Sequence, residues 1–202
     1  MNIGVLASGT GTNLQALIDR AHGTGGVQIR AVASDKAQAP ALERARQAGI
    51  DAEAFTLERF ADRPGRDEAI AGWLREREVE LVVLAGYMQL LSPEFLGAFP
   101  GRVINVHPAL LPAFPGLHAV QQAIDYGVKV FGVTVHFVDR GVDTGPVILQ
   151  RAIELPDARD ANAVLEHLHV IEHDLLVEAV GLIARDAVDF DPVHPRRVVI
   201  SR

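Results

Sequence analysis

Apolar residues along the chain fall into short unbroken runs, separated by stretches in which they recur at helical spacing. "NIGVLAS" (2–8) is such a run ending beside a glycine, the pattern of a strand buried on both faces of a parallel sheet. Behind it, Leu14, Leu17 and Ile18 of "TNLQALIDRA" share one helix face. "VQIRAVAS" predicts a second strand, and "PALERARQAG" a helix with Pro40 near its start and Gly49 just past its end. A weak strand around "DAEAF" precedes a helix expected from Asp67 to Glu78. The strand "ELVVLAG", the helix "SPEFLGAF", the strand "RVINVH" and a helix near 118–126 follow. In "VFGVTVHFV", Val133, Val135 and Phe137 alternate with Thr134 and His136, and "PVILQRAIEL" predicts the antiparallel partner at a sheet edge. A helix after Ala161 carries a stripe of Leu165, Leu168, Ile171, Leu175, Leu176 and Ile183. Strands alternating with helices predict an α/β fold with a doubly wound, mostly parallel sheet, Rossmann-like in layout and antiparallel at one edge. No repeat, low-complexity tract or linker interrupts it, so the expectation is one domain over residues 1–202.

Composition narrows the partners. The formal net charge of -7 argues against a groove for nucleic acid, which needs clustered Lys and Arg; the one dense basic stretch, "HPRRVVISR" at the C-terminus, reads as a solvated tail. Without cysteine there is no thiolate nucleophile, disulfide framework or Cys-based zinc site. The opening "MNIGVLASGTG" lacks the charged start of a signal peptide, and no apolar window is long enough for a membrane span; a cytoplasmic protein is expected. None of the eight histidines forms H-E-x-x-H, and the imidazoles of "HLHVIEH" (167–173) are scattered on a helix, so no metal is expected.

Three strand ends, Ser8-Gly9, Ala85-Gly86-Tyr87 and Asn105-Val106-His107, carry the candidate chemistry, because in open α/β sheets the ligand crevice lies beyond the carboxyl ends of the strands. "SGTGTN" (8–13) is a glycine loop entering a helix. It lacks the third glycine of the dinucleotide fingerprint, where Leu14 stands, and the Gly-Lys-Ser/Thr of a P-loop. Two readings stay open: a phosphate cradle of successive backbone N–H groups, with Thr12 and Asn13 adding side-chain donors or capping the helix, or simply a tight turn with an N-cap. Asp35, at the end of the second strand, is in place for a ribose contact as in dinucleotide folds.

"GRVINVHPALLPAFPG" (101–116) ends an apolar strand on Asn105 and His107 and then passes through three prolines. The two side chains are one residue apart and leave extended chain on the same face; Pro108 restricts His107 to that geometry. An amide and an imidazolium together can hold an oxyanion, and the imidazole can move protons near neutral pH. The alternative is a structural histidine at a strand end. In "DRGVDTGP" (139–146), Asp143 lies between Gly141 and Gly145, either as turn chemistry or as a carboxylate that orients the His107 ring. No G-x-S-x-G elbow supports a serine triad. Glu172 falls inside the apolar stripe of the last helix, so it either reaches solvent at the stripe's edge or binds something such as an amine.

Taken together, "NIGVLASGTGTNLQALI", "KAQAPALERARQAGI", "VVLAGYMQLLSPEF", "INVHPALLPAFPGLHA" and "GVTVHFVDRGVDTGPVI" resemble the folate-dependent formyltransferases over nearly the whole chain. The glycine loop and short chain point within them to the branch that acts on glycinamide ribonucleotide in purine synthesis. The resemblance implies 10-formyltetrahydrofolate as co-substrate, and Asn105, His107 and Asp143 as the catalytic set. Gly11, Thr12 and Asn13 would hold the ribonucleotide phosphate and Glu172 the attacking amine. Met88, Gln89, Leu90 and Leu91, with Leu84 behind them, Asn105 and Val142 would line the folate site; Arg63 would contact folate, with Arg66 as its rival. His118 would stand near Asp143. The halves 1–100 and 101–190 would serve phosphate and folate respectively. Gln89 replaces the family's usual arginine, Thr10 and Thr12 stand where Asn and Ser are common, and His169 occupies a variable position. Partners would be small molecules, with no nucleic acid or membrane, in a monomer or homodimer. The alternatives are a 10-formyltetrahydrofolate deformylase, another amine N-formyltransferase, or a nucleotide-binding module without chemistry.

Overall fold

The computed structural model describes residues 1–201, in two compact units, one of Met1–Asn105 and one from Val106 onward. The first unit contains β1 (Asn2–Leu6), α1 (Thr12–Arg20), β2 (Gln28–Ser34), α2 (Pro40–Gln47), β3 (Asp51–Ala54), α3 (Arg63–Arg75), β4 (Leu81–Leu84), α4 (Pro93–Ala98) and most of β5 (Val103–His107). The second adds α5 (Ala119–Tyr126), β6 (Val130–Phe137), β7 (Val147–Glu154), α6 (Ala161–Ala184), β8 (Val188–Phe190) and β9 (Val198–Ile200). The strand order is β3-β2-β1-β4-β5-β6-β7, with a separate β8-β9 ribbon. β1 pairs parallel with β2 and β4, β2 with β3, and β4 with β5, whereas β6 and β7 are antiparallel. This is the mostly parallel α/β sheet with an antiparallel edge that the spacing predicts.

In the first unit the unbroken apolar runs are buried as parallel strands demand: Ile3, Val5 and Leu6 of β1 and all of β4 lie in the core. α3 begins four residues before the expected Asp67. Pro64-Gly65 reads as a breaker in sequence, but proline is favourable in the first turn, where its missing N–H would have had no partner. Asp62 caps the helix, its Oδ1 accepting from the Gly65 N–H at 2.8 Å. Ser92 caps α4 through Phe95 N–H. Between these helices lies a buried ion pair: Arg66 Nη2 donates to Asp67 Oδ1 at 2.7 Å, and Asp67 Oδ2 accepts from Ser92 N–H at 2.8 Å.

In the second unit, β6 departs from the half-buried strand that its alternation suggests. Thr134 and His136 are as buried as Val133 and Val135, so both faces of the strand are covered. The stripe on α6 is also shifted. Val164, Leu168, Leu175, Leu176, Ala179 and Val180 are buried, while Leu165 and Ile171 are only half-buried. The basic C-terminal stretch is not a free tail: its residues 198–200 form β9, which pairs with β8, and Phe190 of β8 packs against Phe137 with ring centroids 4.9 Å apart. No helix among the described residues is long and apolar enough to cross a membrane.

Candidate active site

The glycine loop leaves β1 and turns at Gly11, whose φ of +75° and ψ of 31° lie in the left-handed region that a side chain disfavours. A Cβ there would also come within 2.8 Å of the Ala41 Cα. Gly11 is itself the N-cap of α1 and, having no side chain, makes no side-chain cap bond. The turn therefore offers backbone N–H donors and the positive end of the helix dipole, the arrangement an anion requires. Arg44 braces the loop from α2, donating from Nε to the Thr10 carbonyl at 2.8 Å and from Nη1 to Gln15 Oε1 at 3.0 Å. Nothing in the spacing of "PALERARQ" marks Arg44 for this task; only the fold brings it to the loop.

At the end of β4 the segment 87–91 crosses as a strap. Ser8 Oγ accepts from Met88 N–H at 2.9 Å, which ties the strap to the end of β1. Met88 and Leu90 are exposed, Gln89 and Leu91 half-buried, and Leu84 buried beneath. Gln89 donates to Asp35 Oδ2 at 3.0 Å, so both side chains, each suggested for a ligand, are engaged with one another. Burial pushes the neighbouring Tyr87 phenol well above its ordinary pKa. Of the two arginines weighed for folate, Arg63 is exposed at the start of α3, whereas Arg66 is 1% exposed and bound to Asp67. Arg66 is thereby held as a structural cation.

β5 carries Asn105 and His107 two residues apart on one face, Asn105 half-buried and His107 buried. Within the second unit the His107 Nδ1 lies 3.3 Å from Asp143 Oδ2, and its Nε2 lies 2.9 Å from the Phe114 carbonyl oxygen. Carboxylate and carbonyl only accept, so both contacts are satisfied together by the doubly protonated ring. Asp143 has a second imidazole neighbour: His136 Nε2 at 3.6 Å from Oδ1, with His136 Nδ1 2.8 Å from the Phe137 carbonyl oxygen. The Gly116 N–H donates to Asp143 Oδ2 at 2.7 Å. Burial works against the charged carboxyl, but the His136 bond, the Gly116 N–H and the His107 charge outweigh it and hold the pKa at about 2.

Two further details come from this cluster. His136 was hidden in sequence by its place in a strand; the available signal was an imidazole on a strand that proves buried on both faces. His118 stands exposed at the N-cap of α5 with φ +58°, and the second imidazole on Asp143 is that of His136. Asp143 has φ +52°, between Gly141 and the buried Gly145, where a Cβ would overlap the Phe137 carbonyl. Val142 is exposed beside it. On α6, Glu172 is 6% exposed and belongs to the buried face rather than to its edge. His169 is exposed and stacks on His173, with ring centroids 6.5 Å apart. No group of metal-ligating side chains forms a candidate metal site among the described residues.

The first unit thus presents a glycine turn opening a helix, and the second an imidazole–carboxylate pair. A family model described as formyl transferase matches residues 1–180, and the chain belongs to that family. Among its relatives, the phosphoribosylglycinamide formyltransferase of Mycobacterium tuberculosis is 46% identical over 187 residues, covering 91% of this chain and 85% of the relative. That of Bacillus subtilis is 43% identical over 170 residues, covering 84% and 87%. In three dimensions the chain is similar to glycinamide ribonucleotide transformylase 1 from Symbiobacterium toebii, with a TM-score of 0.95 and 44% identity, covering 100% of this chain and 94% of the other.

Proposed function

We propose that the chain transfers the formyl group of 10-formyltetrahydrofolate to the amine of phosphoribosylglycinamide, a step of purine biosynthesis, in the cytoplasm. The observation that carries this reading is the His107–Asp143 pair, 3.3 Å apart, with the second His107 nitrogen already donating to an oxygen. A tetrahedral oxyanion is a stronger acceptor than the Phe114 carbonyl, and it takes the Nε2–H bond as charge develops. The Asn105 amide supplies the second donor from the same face of β5. Asp143 keeps the ring charged and oriented and, through water, passes the proton from the attacking amine to the departing nitrogen.

The remaining roles follow from position. The first turn of α1 at Gly11, Thr12 and Asn13 holds the phosphate, and Glu172 holds the amine. The exposed apolar side chains Met88, Leu90 and Val142, with Gln89 and Leu91, face the folate, and Arg63 contacts its acidic end. Because Gln89 is neutral and bound to Asp35, the strap offers no charge to that end. Holding two reactants in register can account for several kcal/mol of barrier, roughly 7–11 in favourable cases.

The test mixes the protein with 10-formyltetrahydrofolate, with and without phosphoribosylglycinamide. Tetrahydrofolate released only in the presence of the amine is the expected result. Release without it marks a deformylase, and no release in either case marks a binding module. Asn105→Ala and His107→Ala should each lower turnover by about 10²–10³; wild-type rates in both would remove these residues from the mechanism.

A further inference from the structure

Asp143 is a non-glycine residue at φ +52°, a conformation that persists only where surrounding contacts impose it. The loop that carries it is locked at one end from within: Asp139 Oδ1 accepts from the Gly141 N–H at 3.0 Å and from the Thr144 hydroxyl at 2.6 Å. A further tie comes from far along the chain. Arg196 Nη2 donates at 2.6 Å to the carbonyl of Thr144, the residue after the catalytic carboxylate.

Arg196 projects from a well-built turn. Asp191 accepts through Oδ1 from the Val193 and His194 N–H groups at 2.8 and 3.0 Å, and the backbone closes with Asp191 N–H on the Arg197 carbonyl at 2.9 Å. The ribbon is fixed below by Ser201 N–H on the Ala187 carbonyl and by Phe190 against Phe137, the residue whose carbonyl Gly145 must clear. This ribbon lies beyond the residues matched by the formyl transferase family model, which end at 180. A guanidinium stays charged at every working pH, so the bond to Thr144 does not titrate away.

We infer that Arg196 is a positioning residue for Asp143: through the Thr144 carbonyl it holds the loop so that the carboxylate meets the His107 and His136 rings. The inference rests on the proposed function for its kinetic readout. In the full-length chain, Arg196→Ala should lower kcat about tenfold, the scale of a small misplacement of a reacting group. KM for both substrates should stay unchanged and Tm within about 2 °C, since Arg196 is exposed. Arg196→Lys, which keeps a cationic donor, should recover most of the rate. A wild-type kcat in Arg196→Ala, a lysine variant as slow as the alanine one, or a loss explained by a raised KM or a lowered Tm would overturn it. Independently of any activity, the ¹³C resonance of the Asp143 carboxyl should titrate with a midpoint of about 2 in the wild type and higher in Arg196→Ala. An unchanged midpoint would also overturn it. A wild-type protein that never releases tetrahydrofolate would instead sink the functional reading, leaving the carboxyl titration to decide the role of Arg196.

Discussion

Asp143→Asn deletes one negative charge and almost nothing else. The side chain is 13% exposed, and the amide oxygen can still accept from the Gly116 N–H now 2.7 Å from Oδ2. What is lost is the attraction that draws the carboxyl from 3.8 down to about 2, against the opposing effect of burial. At about 1.4 kcal/mol for each tenfold change, that is about 2 kcal/mol, and solvent access to the loop reduces it to about 1 kcal/mol of folding stability. A group whose folded pKa is depressed contributes above its unfolded pKa and loses that contribution as the pH falls through the folded one. The gap between wild type and variant in urea unfolding is therefore full at neutral pH, still nearly full at pH 4, and closes towards about pH 2. A deficit of about 1 kcal/mol leaves a protein of ordinary stability folded, so the rate measures chemistry. With both substrates saturating, kcat should fall by about 10²-fold, comparable to losing an oxyanion donor, because the ring loses the partner that fixes its orientation and charge. A kcat within about twofold of wild type, or a stability gap that widens towards acid, would refute the argument.

Gly11→Ala forces a methyl against the Ala41 backbone and keeps φ at +75°; it should cost about 1–3 kcal/mol in urea unfolding and raise KM for the phosphorylated substrate more than it lowers kcat. Arg66→Ala leaves Asp67 buried and unpaired, so unfolding should register a loss of about 3–5 kcal/mol while the folded fraction keeps its KM for the folate, as a structural cation requires. Gly145→Ala places a Cβ on the Phe137 carbonyl; the displaced loop should lower kcat by about tenfold or more, with stability falling by about 1–3 kcal/mol in the same urea assay.

Most of the fold could be read before any coordinates because its central strands are buried on both faces and its helices on one. β1 and β4 appear as unbroken apolar runs, and α1 and α2 as helical spacing with a proline near the start of α2 and a glycine after its end. Where the reading slipped, local chemistry had two meanings. Pro64-Gly65 is a breaker inside a helix but a good beginning for one, and the Asp62 cap decides which. The basic residues of the C-terminus look solvated because β8 and β9 bury little, yet the ribbon is held by Phe190 and by backbone bonds that composition does not show. Within the candidate site, the shared strand face of Asn105 and His107 was legible from their spacing. Arg44 and Arg196 were not, since each acts on a backbone carbonyl of a segment far away in sequence.

The polar residues of β6 give the clearest case of what period-two reading cannot distinguish. Thr134 and His136 lie on one face of the strand, and in sequence that face could look towards water. Both are buried, so each must be satisfied by protein. The Thr134 hydroxyl donates to the Ala109 carbonyl at 2.7 Å and accepts from Leu111 N–H and Gln150 Nε2 at 3.1 and 2.9 Å, using its full capacity. Two residues further on, His136 reaches the Phe137 carbonyl and Asp143. One strand face thus anchors the proline-rich segment after His107 through Thr134 and the Asp143 loop through His136. The prolines that bar 108–115 from continuing as sheet or helix leave backbone groups that β6 then pairs, and the same face sets the distance between the imidazole of His107 and its carboxylate. A hydrophobic residue at 134 or 136 would suit the core equally well, but it would leave one loop or the other without its tether.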